Sequence, residues 1–306
     1  MFRITILSSD EDIASQTIRA QLLKYFPFKE TQKSNNSQNA HILKEYKYQK
    51  DDLGGVEVSM LVIDCRMSRL DETFKKGEIA GDMLIFISRH SSKSGKGALL
   101  CHTPGNWGDN KYGGQKKTIA KGSGVLLHYF HQMLSEYLQE SETSSFVVDQ
   151  EVTHHGPTLF DIPMAFIELG SDKKGWKNSE GGKIVANAVM KTTHLIAEKH
   201  ISENKFQKSN VNVCVGFGGT HYMYNLSKLI KLGCGFVHTV PKYHIKKLTN
   251  KMIKNIQERS MEPIDYWVID WKGVNSAQKV HLLNLLEKNN LQYIKRKKLQ
   301  KKLKHK

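Results

Sequence analysis

The sequence predicts an α/β protein built around a mostly parallel β-sheet. Three observations predict this class. Short apolar segments typical of buried strands recur along the chain, amphipathic segments with helical spacing lie between them, and 306 residues are enough to bury a full core. Repeated β-α units need crossover helices over a largely parallel sheet, and such sheets bind ligands beyond the carboxyl ends of their strands. We therefore expect functional side chains where strands end.

Segments of the two kinds alternate along most of the chain. Nine of them have the apolar and β-branched content of buried strands: Phe2 to Leu7, Val56 to Cys65, Met83 to Ser88, Ala98 to Cys101, Ser145 to Asp149, Met164 to Leu169, Val211 to Val215, Gly235 to Val240 and Tyr266 to Trp271. Six have helical spacing: a segment capped by Ser9 and ending near Tyr25, then Gly124 to Glu140, Gly182 to Glu198, Asn225 to Leu232, His244 to Glu258 and Ser276 to Lys288.

A glycine-rich segment precedes the second of these helices. Residues 105–124 combine glycine with Asn, Asp and Lys. This composition is typical of surface loops that carry binding residues. We expect a mobile or ligand-shaped loop rather than core, placed to close over a substrate.

Positive charge is concentrated at the carboxyl end of the chain. The formal net charge is +16, and Lys295 to Lys306 contains eight basic residues and no acid. Such a segment either binds a polyanion or stays solvated. The excess of positive charge in the rest of the chain favours a nucleic-acid partner over an acidic protein. We therefore divide the chain into a single α/β catalytic domain, residues 1–294, and a basic tail, residues 295–306. The candidate RNA-binding residues are Lys295, Arg296, Lys297 and Lys298.

The sequence predicts neither a membrane protein nor a disulfide-bonded one. No apolar segment approaches the roughly 18 residues of a membrane helix, and the short apolar run Ile4 to Leu7 is not a signal peptide. The four cysteines lack Cys-x-x-Cys spacing and are expected to be reduced. We expect a cytoplasmic protein that is a monomer or a small homo-oligomer, with no protein partner evident.

Histidine recurs where predicted strands end. Five of the 14 histidines follow an apolar strand directly: His90, His102, His154, His221 and His238. In a parallel sheet they would meet at one edge. A structural hydrogen bond to a nearby carbonyl would explain the position of any single one of these histidines, and this is the preferred interpretation for His238. Their convergence favours a function for His154, His155 and His221. Solvated surface is expected for the helical and terminal histidines: His128, His131, His194, His200, His281 and His305.

Two turns of similar design present these histidines. Glu151 to Thr158 reads Glu-Val-Thr-His-His-Gly-Pro-Thr, and its Gly-Pro pair must end a strand because proline gives no ladder donor. Neighbouring side chains on extended backbone point to opposite faces, so the two histidines should not both face the core. Gly216 to Tyr222 reads Gly-Phe-Gly-Gly-Thr-His-Tyr. Its glycines allow backbone N–H groups to approach an oxyanion closely.

Strand-end imidazoles near Glu151 and Glu168 suit two chemical roles. Imidazole and carboxylate are ordinary zinc ligands, and a catalytic zinc needs only three of them plus water. An imidazole with a pKa near 6.5 is also a suitable general base. The spacing does not choose between these roles, because the sequence has no His-Glu-x-x-His, no P-loop and no Gly-x-Ser-x-Gly motif.

The His-His-Gly-Pro-Thr and Gly-Gly-Thr-His-Tyr motifs together resemble those of the archaeal and plant type of D-aminoacyl-tRNA deacylase. Leu100 to Trp107 and Phe166 to Ser171 also look like blocks of that family in the expected order, so the resemblance covers most of the chain. It implies hydrolysis of the ester of D-aminoacyl-tRNA, which releases free D-amino acid and tRNA. It also implies a zinc cofactor and a three-layer α/β/α fold with a mostly parallel mixed sheet, like peptidyl-tRNA hydrolase and nucleoside phosphorylase.

The paired histidine turns predict roles for particular residues. His155 and His221 are expected to act at the scissile ester, with Thr158, Gly218 and Gly219 as candidate oxyanion donors. The candidate zinc ligands are His90, His102, His154, His155, Glu168 and His221.

Two blocks depart from the family pattern. Asp172 to Gly175 precedes Trp176 where the family is rich in glutamate, and Met223-Tyr224 stands where Ala-Pro is common. Two other functions fit the same residues. One is a non-catalytic tRNA- or RNA-binding protein with structural histidines, and the other is a nucleoside or phosphate-ester enzyme on a similar fold.

Overall fold

The computed structural model describes residues 1–31, 39–143, 145–202, 205–207 and 210–305. Its strands form a mixed sheet of eight strands, a parallel sheet of four and a two-stranded hairpin. The strands are β1 Phe2–Ser9, β2 Phe28–Glu30, β3 Ile42–Tyr48, β4 Val56–Ile63, β5 Met83–Ser91, β6 Gly97–His102, β7 Phe146–Gln150, β8 Met164–Ser171, β9 Ile201–Ser202, β10 Lys205–Phe206, β11 Asn212–Phe217, β12 Cys234–Val240, β13 Tyr266–Ile269 and β14 Tyr293–Lys295.

Helices connect most of these strands. The α-helices are α1 Ile13–Tyr25, α2 Leu70–Thr73, α3 Gly124–Glu140, α4 Lys173–Trp176, α5 Ser179–His200, α6 Lys242–Ile245, α7 Asn250–Glu258, α8 Ser276–Lys288 and α9 Arg296–Lys304, and two 3₁₀ helices span Met67–Arg69 and Ser227–Leu232. Among the helices described, none is long and apolar enough to cross a lipid bilayer.

The large sheet has the strand order β2-β3-β4-β1-β5-β8-β6-β7. The four central strands β4, β1, β5 and β8 are parallel, whereas β6 pairs antiparallel with β8 and parallel with β7. From β1 the chain proceeds to β4 on one side, and from β5 it proceeds to β8 on the other. The topological switch point, where such sheets bind ligands, therefore lies between the carboxyl ends of β1 and β5.

The two faces of the large sheet are covered differently. Helices α1, α3 and α5 pack on one face through an apolar core shared with the small sheet. The other face carries a smaller apolar cluster, covered by the Met67–Arg69 helix, α2 and loop residues such as Phe160. This second face is where a cavity forms, because short helices and loops cover less of it.

The small sheet is wholly parallel, with the order β12-β11-β13-β14. Side chains of α7 and α8 join the core on one face, and the Ser227–Leu232 helix and α9 cover the other. The sheets and helix layers confirm the predicted α/β class with a mostly parallel mixed sheet.

The carboxyl-terminal segment is packed on the small sheet as far as the structure describes it. Residues 295–306 are predicted to be a basic tail, but Lys295 ends β14 and the next nine residues form α9. Leu299 and Leu303 of α9 are buried against the small sheet. Lysines on the outer side of this helix are exposed, and Lys306 lies outside the described residues.

Local differences from the predicted elements have identifiable causes. Asp12, not Ser9, caps α1, because its carboxylate accepts the Ser15 amide at 3.0 Å. The predicted helix His244 to Glu258 is divided into α6 and α7, and Thr249 caps the second part. The predicted α-helix Asn225 to Leu232 is a 3₁₀ helix. Strands β2 and β3 were not predicted, since their short polar stretches give little apolar signal.

Two predictions of surface exposure are wrong. The glycine-rich segment 105–124 is partly core, since Trp107 and Ile119 are buried and the Trp107 indole donates to the Thr239 carbonyl at 3.0 Å. His131 and His200, expected on the solvated surface, are also buried. Burial, together with His128 and Lys231 nearby, lowers the pKa of His131 to about 4, so this side chain is neutral in the folded protein.

Candidate active site

A cavity of about 650 Å³ opens at the switch point of the large sheet. Its walls come from the ends of β1 and β5, the middle of β8, the segment after β4 and the two histidine turns. The charged, polar and aromatic residues that line it include Ser9, Asp12, Arg66, Ser88, Arg89, His90, Tyr112, His154, His155, Phe166, Glu168, Trp176 and His221.

Glu168 lies at the centre of the sheet rather than at its edge. It sits in β8 opposite Ser88 of β5, and the Ser88 hydroxyl donates to its Oε1 at 2.7 Å. Oε1 is also 3.8 Å from His102 Nε2, and Oε2 is 3.6 Å from His90 Nδ1. Because β6 runs antiparallel to β8, His102 reaches Glu168 across the sheet face. The prediction that these histidines meet at one edge of a parallel sheet is therefore wrong in its geometry.

Glu151 is the carboxylate that most of the histidines share. It follows β7 directly, and its side chain has no exposed surface. Its Oε1 lies 2.9 Å from His221 Nε2, and its Oε2 lies 3.5 Å from His90 Nδ1 and 4.0 Å from His154 Nε2. A fully buried carboxylate is costly unless it is paired. The imidazoles around Glu151 supply that pairing.

The two buried carboxylates and the histidine between them are held in their charged forms. Burial opposes the imidazolium of His90, but its contacts with Glu151 and Glu168 raise its pKa to about 11. Burial also favours neutral acids, yet His221 and His90 bring the pKa of Glu151 well below its usual value. In the same way, His102 and His90 lower the pKa of Glu168. At neutral pH the group is carboxylate, imidazolium, carboxylate.

A second group consists of three imidazoles that face one another. Their ring centroids are 4.1 Å apart for His102 and His154, 4.8 Å for His102 and His155, and 4.4 Å for His154 and His155. The Nδ1 atoms of His154 and His155 contact the carbonyls of Val152 and Gly156 at 2.9 and 2.6 Å. In the neutral rings these contacts place the proton on Nδ1 and leave the Nε2 lone pair free.

The donor atoms of this second group fit a metal ion. They lie within 4.8 Å of one another, and both ring nitrogens of His102 are buried with no hydrogen-bond partner among the described residues. Burial and the proximity of His102 lower the pKa of His155 to about 4, and burial with the neighbouring histidines also lowers the pKa of His154. Neutral imidazole is the form that binds zinc.

The backbone explains how both histidines of the turn reach the cavity. His155 has a φ of +46°, a conformation that side chains rarely adopt. This twist turns its ring toward the same side as His154, so the two do not alternate as they would on extended backbone. The next residue must be small, because a Cβ on Gly156 would lie 2.3 Å from the Gly114 amide nitrogen and 2.4 Å from the Ser68 carbonyl oxygen.

The structure places the other predicted oxyanion donors away from this cavity. The Thr158 hydroxyl donates to Asp71 at 2.9 Å and accepts from the Gln115 amide, and its own amide also donates to Asp71. The Gly218 amide donates to the Val240 carbonyl at 2.9 Å. Gly218 and Gly219 line a separate, smaller cavity. These groups already have partners or face another site.

The remaining predicted residues are also placed by the structure. Lys295, Lys297 and Lys298 are exposed, whereas the Arg296 guanidinium is mostly buried, with its Nε 3.9 Å from Asp270. His238 lies within β12, and its Nε2 is 3.1 Å from the Arg259 carbonyl oxygen. This is the kind of structural hydrogen bond that we predicted for His238 from the sequence.

Several residues of the cavity carried no predicted role. Arg66, Arg89, Tyr112 and Trp176 line its outer part, and the Trp176 indole donates to the His90 carbonyl at 2.6 Å. Arg89 lies over the Trp176 ring at 5.4 Å. A signal for Trp176 was present in the sequence, because it follows the end of β8 closely. The arginines have no distinctive sequence context.

Two histidine groups therefore lie in this fold: His90 with the carboxylates Glu151 and Glu168, and the three imidazoles of His102, His154 and His155. Together with the fold they define a class of protein: an α/β protein whose buried carboxylate and imidazole groups suit the hydrolysis of an activated bond. Comparison with known proteins is more specific. A family model described as D-aminoacyl-tRNA deacylase matches residues 78–294. This chain belongs to the D-aminoacyl-tRNA deacylase family, as its motifs predict.

Individual relatives agree over nearly the whole chain. The D-aminoacyl-tRNA deacylase of Thermococcus kodakarensis is 31% identical over 293 residues, covering 94% of this chain and 98% of the relative. That of Archaeoglobus fulgidus is 30% identical and covers 97% of each. A crystal structure described as a conserved protein of unknown function is similar with a TM-score of 0.80 and 28% identity, covering 98% of this chain and 97% of its own.

The charge state of His90 gives a direct test of the buried group. With a pKa raised to about 11 by Glu151 and Glu168, His90 should stay protonated from pH 5 to 9, and its side-chain nitrogen NMR signals should not move. Its stabilising contribution should be full below its unfolded pKa near 6.5 and should disappear as the pH rises toward 11. Glu168→Gln should lower the pKa of His90, whereas surface His41, paired with Asp64 at 2.8 Å, serves as an exposed control. A His90 signal that titrates near pH 6.5 in the wild type would contradict this assignment.

Proposed function

We propose that this protein hydrolyses the ester between a D-amino acid and the terminal ribose of tRNA, releasing the free D-amino acid and tRNA. The observation that carries this proposal is the Glu151–His221 pair at the wall of the cavity. A histidine held by a buried carboxylate is the arrangement that activates water in many hydrolases. Membership of the family supports the choice of ester.

In this proposal His221 is the general base. Glu151 holds Nε2 and orients the ring, so Nδ1 is left to take a proton from a water molecule. The water oxygen then forms a bond to the ester carbonyl carbon, and the buried Glu151 carboxylate stabilises the imidazolium that results. When the bond between the carbonyl carbon and the ribose oxygen breaks, His221 returns the proton to the leaving hydroxyl. Protonated His90 adds positive charge beside the developing oxyanion.

We also propose that His102, His154 and His155 hold a zinc ion. The support is their free nitrogen lone pairs and the two orphaned ring nitrogens of His102. Bound zinc would supply Lewis acidity and lower the pKa of a bound water to about 7. His90 and Glu168 are less suitable ligands, since they are already paired with each other.

Selection of the D-enantiomer is proposed to come from a rigid wall. The Phe166 ring is stacked on His102 with centroids 5.1 Å apart and lies edge-on to His155 at 4.8 Å. Exchanging the side chain and hydrogen on an α-carbon keeps every chemical group, so only geometry can separate the enantiomers. A wall of rings packed against one another in this way would exclude the side chain of the wrong enantiomer.

Turnover of D-tyrosyl-tRNA and L-tyrosyl-tRNA tests the proposed function. We expect the D-ester to be cleaved faster by on the order of 100-fold, which corresponds to about 2.7 kcal/mol of geometric discrimination. His221→Asn should slow D-ester cleavage by about 100-fold or more, because a general base contributes at least that factor. The matched control is His41→Asn, which removes a surface histidine–carboxylate pair. Equal rates on both enantiomers, or a fully active His221→Asn variant, would contradict the proposal.

Metal content tests the zinc assignment separately. After dialysis against a chelator the protein should lose its activity, and added zinc should restore it. His102→Asn should bind less than about a tenth of the wild-type zinc in elemental analysis, since three imidazoles are needed. His41→Asn should keep its full content. An enzyme that is fully active without bound metal would remove zinc from the mechanism.

A further inference from the structure

A second cavity lies beside the first, at the carboxyl edge of the small sheet. Its volume is about 220 Å³. In the strand order β12-β11-β13-β14, the chain leaves β11 toward β12 and leaves β13 toward β14, so the switch point of this sheet lies between β11 and β13. The cavity is lined by Gly218 and Gly219, which follow β11, and by Asp270, which follows β13. It therefore occupies the position where parallel sheets bind ligands.

The floor of this second cavity is polar, and part of it consists of glycine backbone without side chains. Gly218 and Gly219 have φ values of +112° and +79°, so side chains would be strained there. A Cβ on Gly273 would lie 2.6 Å from Asp270 Oδ2. The Asp270 carboxylate is buried and accepts from the Asn225 amide at 3.0 Å. The floor therefore combines a carboxylate with glycine backbone that carries no side chains, and it offers little to an apolar ligand.

Aromatic rings and lysines alternate next to this floor. Trp271, adjacent to Asp270, has Lys295 Nζ 4.1 Å and Lys279 Nζ 4.9 Å from its ring centroid, and the Tyr293 ring is stacked on it at 6.2 Å. Proteins bind unpaired nucleic-acid strands in this way, because bases stack on aromatic faces while lysines contact phosphates. An acidic peptide would use the lysines alone and would leave the aromatic rings without a partner.

One residue joins this surface to the histidine cavity. Tyr222 lines the second cavity, and its hydroxyl is 3.1 Å from His90 Nε2. Beyond it, Tyr224 is 70% exposed with Lys228 Nζ 4.4 Å from its ring centroid. A strand that crosses Trp271 and the glycine turn therefore arrives at the active site.

We infer that the surface formed by Trp271, Lys279, Lys295 and the second cavity binds the unpaired 3′ strand of the tRNA, upstream of the nucleotide that bears the ester. This inference rests on the proposed function for the identity of the RNA. The terminal nucleotide enters the large cavity, and the nucleotides before it stack on Trp271 and occupy the glycine-lined cavity. Lys295 thus binds RNA as part of this surface.

Tyr25 supplies a matched control within the same chain. It is exposed, and Lys24 and Lys183 place their Nζ atoms 5.0 and 5.5 Å from its ring centroid. It ends α1, at the opposite edge of the large sheet from the cavity. If any exposed ring flanked by lysines contributed to tRNA binding, replacing Tyr25 would weaken the binding as much as replacing Trp271.

Two esters of D-tyrosine distinguish a defect in RNA binding from a defect in catalysis. D-tyrosyl-tRNA carries the upstream nucleotides, whereas D-tyrosyl-adenosine lacks them. Trp271→Ala should raise KM for the tRNA ester by about 10- to 100-fold, as expected when a stacked base loses its aromatic partner. It should leave cleavage of the adenosine ester within twofold of the wild type, because Trp271 does not touch the histidine groups. Trp271→Phe should restore most of the affinity, and Lys279→Glu, a change of charge at a half-buried lysine that leaves the Trp271 ring in place, should reproduce the defect. Tyr25→Ala should have no effect on either ester.

Binding of uncharged tRNA tests the inference without catalysis. The wild type should bind intact tRNA at least about 10-fold more tightly than tRNA trimmed of its unpaired 3′ nucleotides, and Trp271→Ala and Lys279→Glu should abolish that preference. The inference is overturned if these variants bind both RNAs as the wild type does, or if Trp271→Ala impairs both esters equally. A wild type that keeps the binding preference but cleaves neither ester would instead refute the proposed function and leave the RNA surface established.

Discussion

The burial of two carboxylates in the middle of the molecule is the constraint on which the site depends. Glu151 and Glu168 are both withdrawn from solvent, and among the described residues their ion-pair partners are histidines. His90 balances part of their charge, because its imidazolium lies 3.5 Å from one carboxylate and 3.6 Å from the other. Because an unpaired buried charge costs several kcal/mol, the fold is stable only when these groups stay together. His90 contacts Oε2 of Glu151, so Oε1 remains available for the contact with His221. Glu151 therefore contributes both to the stability of the fold and to the proposed catalysis.

The sheet topology explains why the groups meet. Ser88 and His90 of β5 flank Glu168 of β8 on one side, and His102 of β6 approaches it on the other. The segment that begins at Glu151 then leaves β7 and crosses to the small sheet, where its backbone pairs with Tyr222. Each sheet therefore contributes one histidine turn. The cavity between them exists because short helices cover that face of the large sheet.

Much of this arrangement was predictable from sequence because it depends on local pattern. Apolar segments that end in histidine predicted the strands and several residues that line the large cavity, and the glycines of Gly216 to Tyr222 predicted an unusual turn. The partners were not predictable, since they are distant in sequence. Thr158 is held by Asp71, and the central place of Glu151 depends on three histidines from three elements. The direction of β6 also has no local signal, so the meeting of the histidines on a sheet face was missed.

Glu151→Gln tests the central claim most directly, because it keeps the shape of the side chain and removes only its charge. The measurement is the single-turnover rate of D-tyrosyl-tRNA cleavage, with thermal unfolding as the check that the variant is folded. If Glu151 orients His221 and stabilises its imidazolium, the rate should fall on the order of 100- to 10,000-fold, while the affinity for uncharged tRNA is kept. A folded variant that cleaves at the wild-type rate would show that the buried carboxylate is structural only and that the catalytic base lies elsewhere.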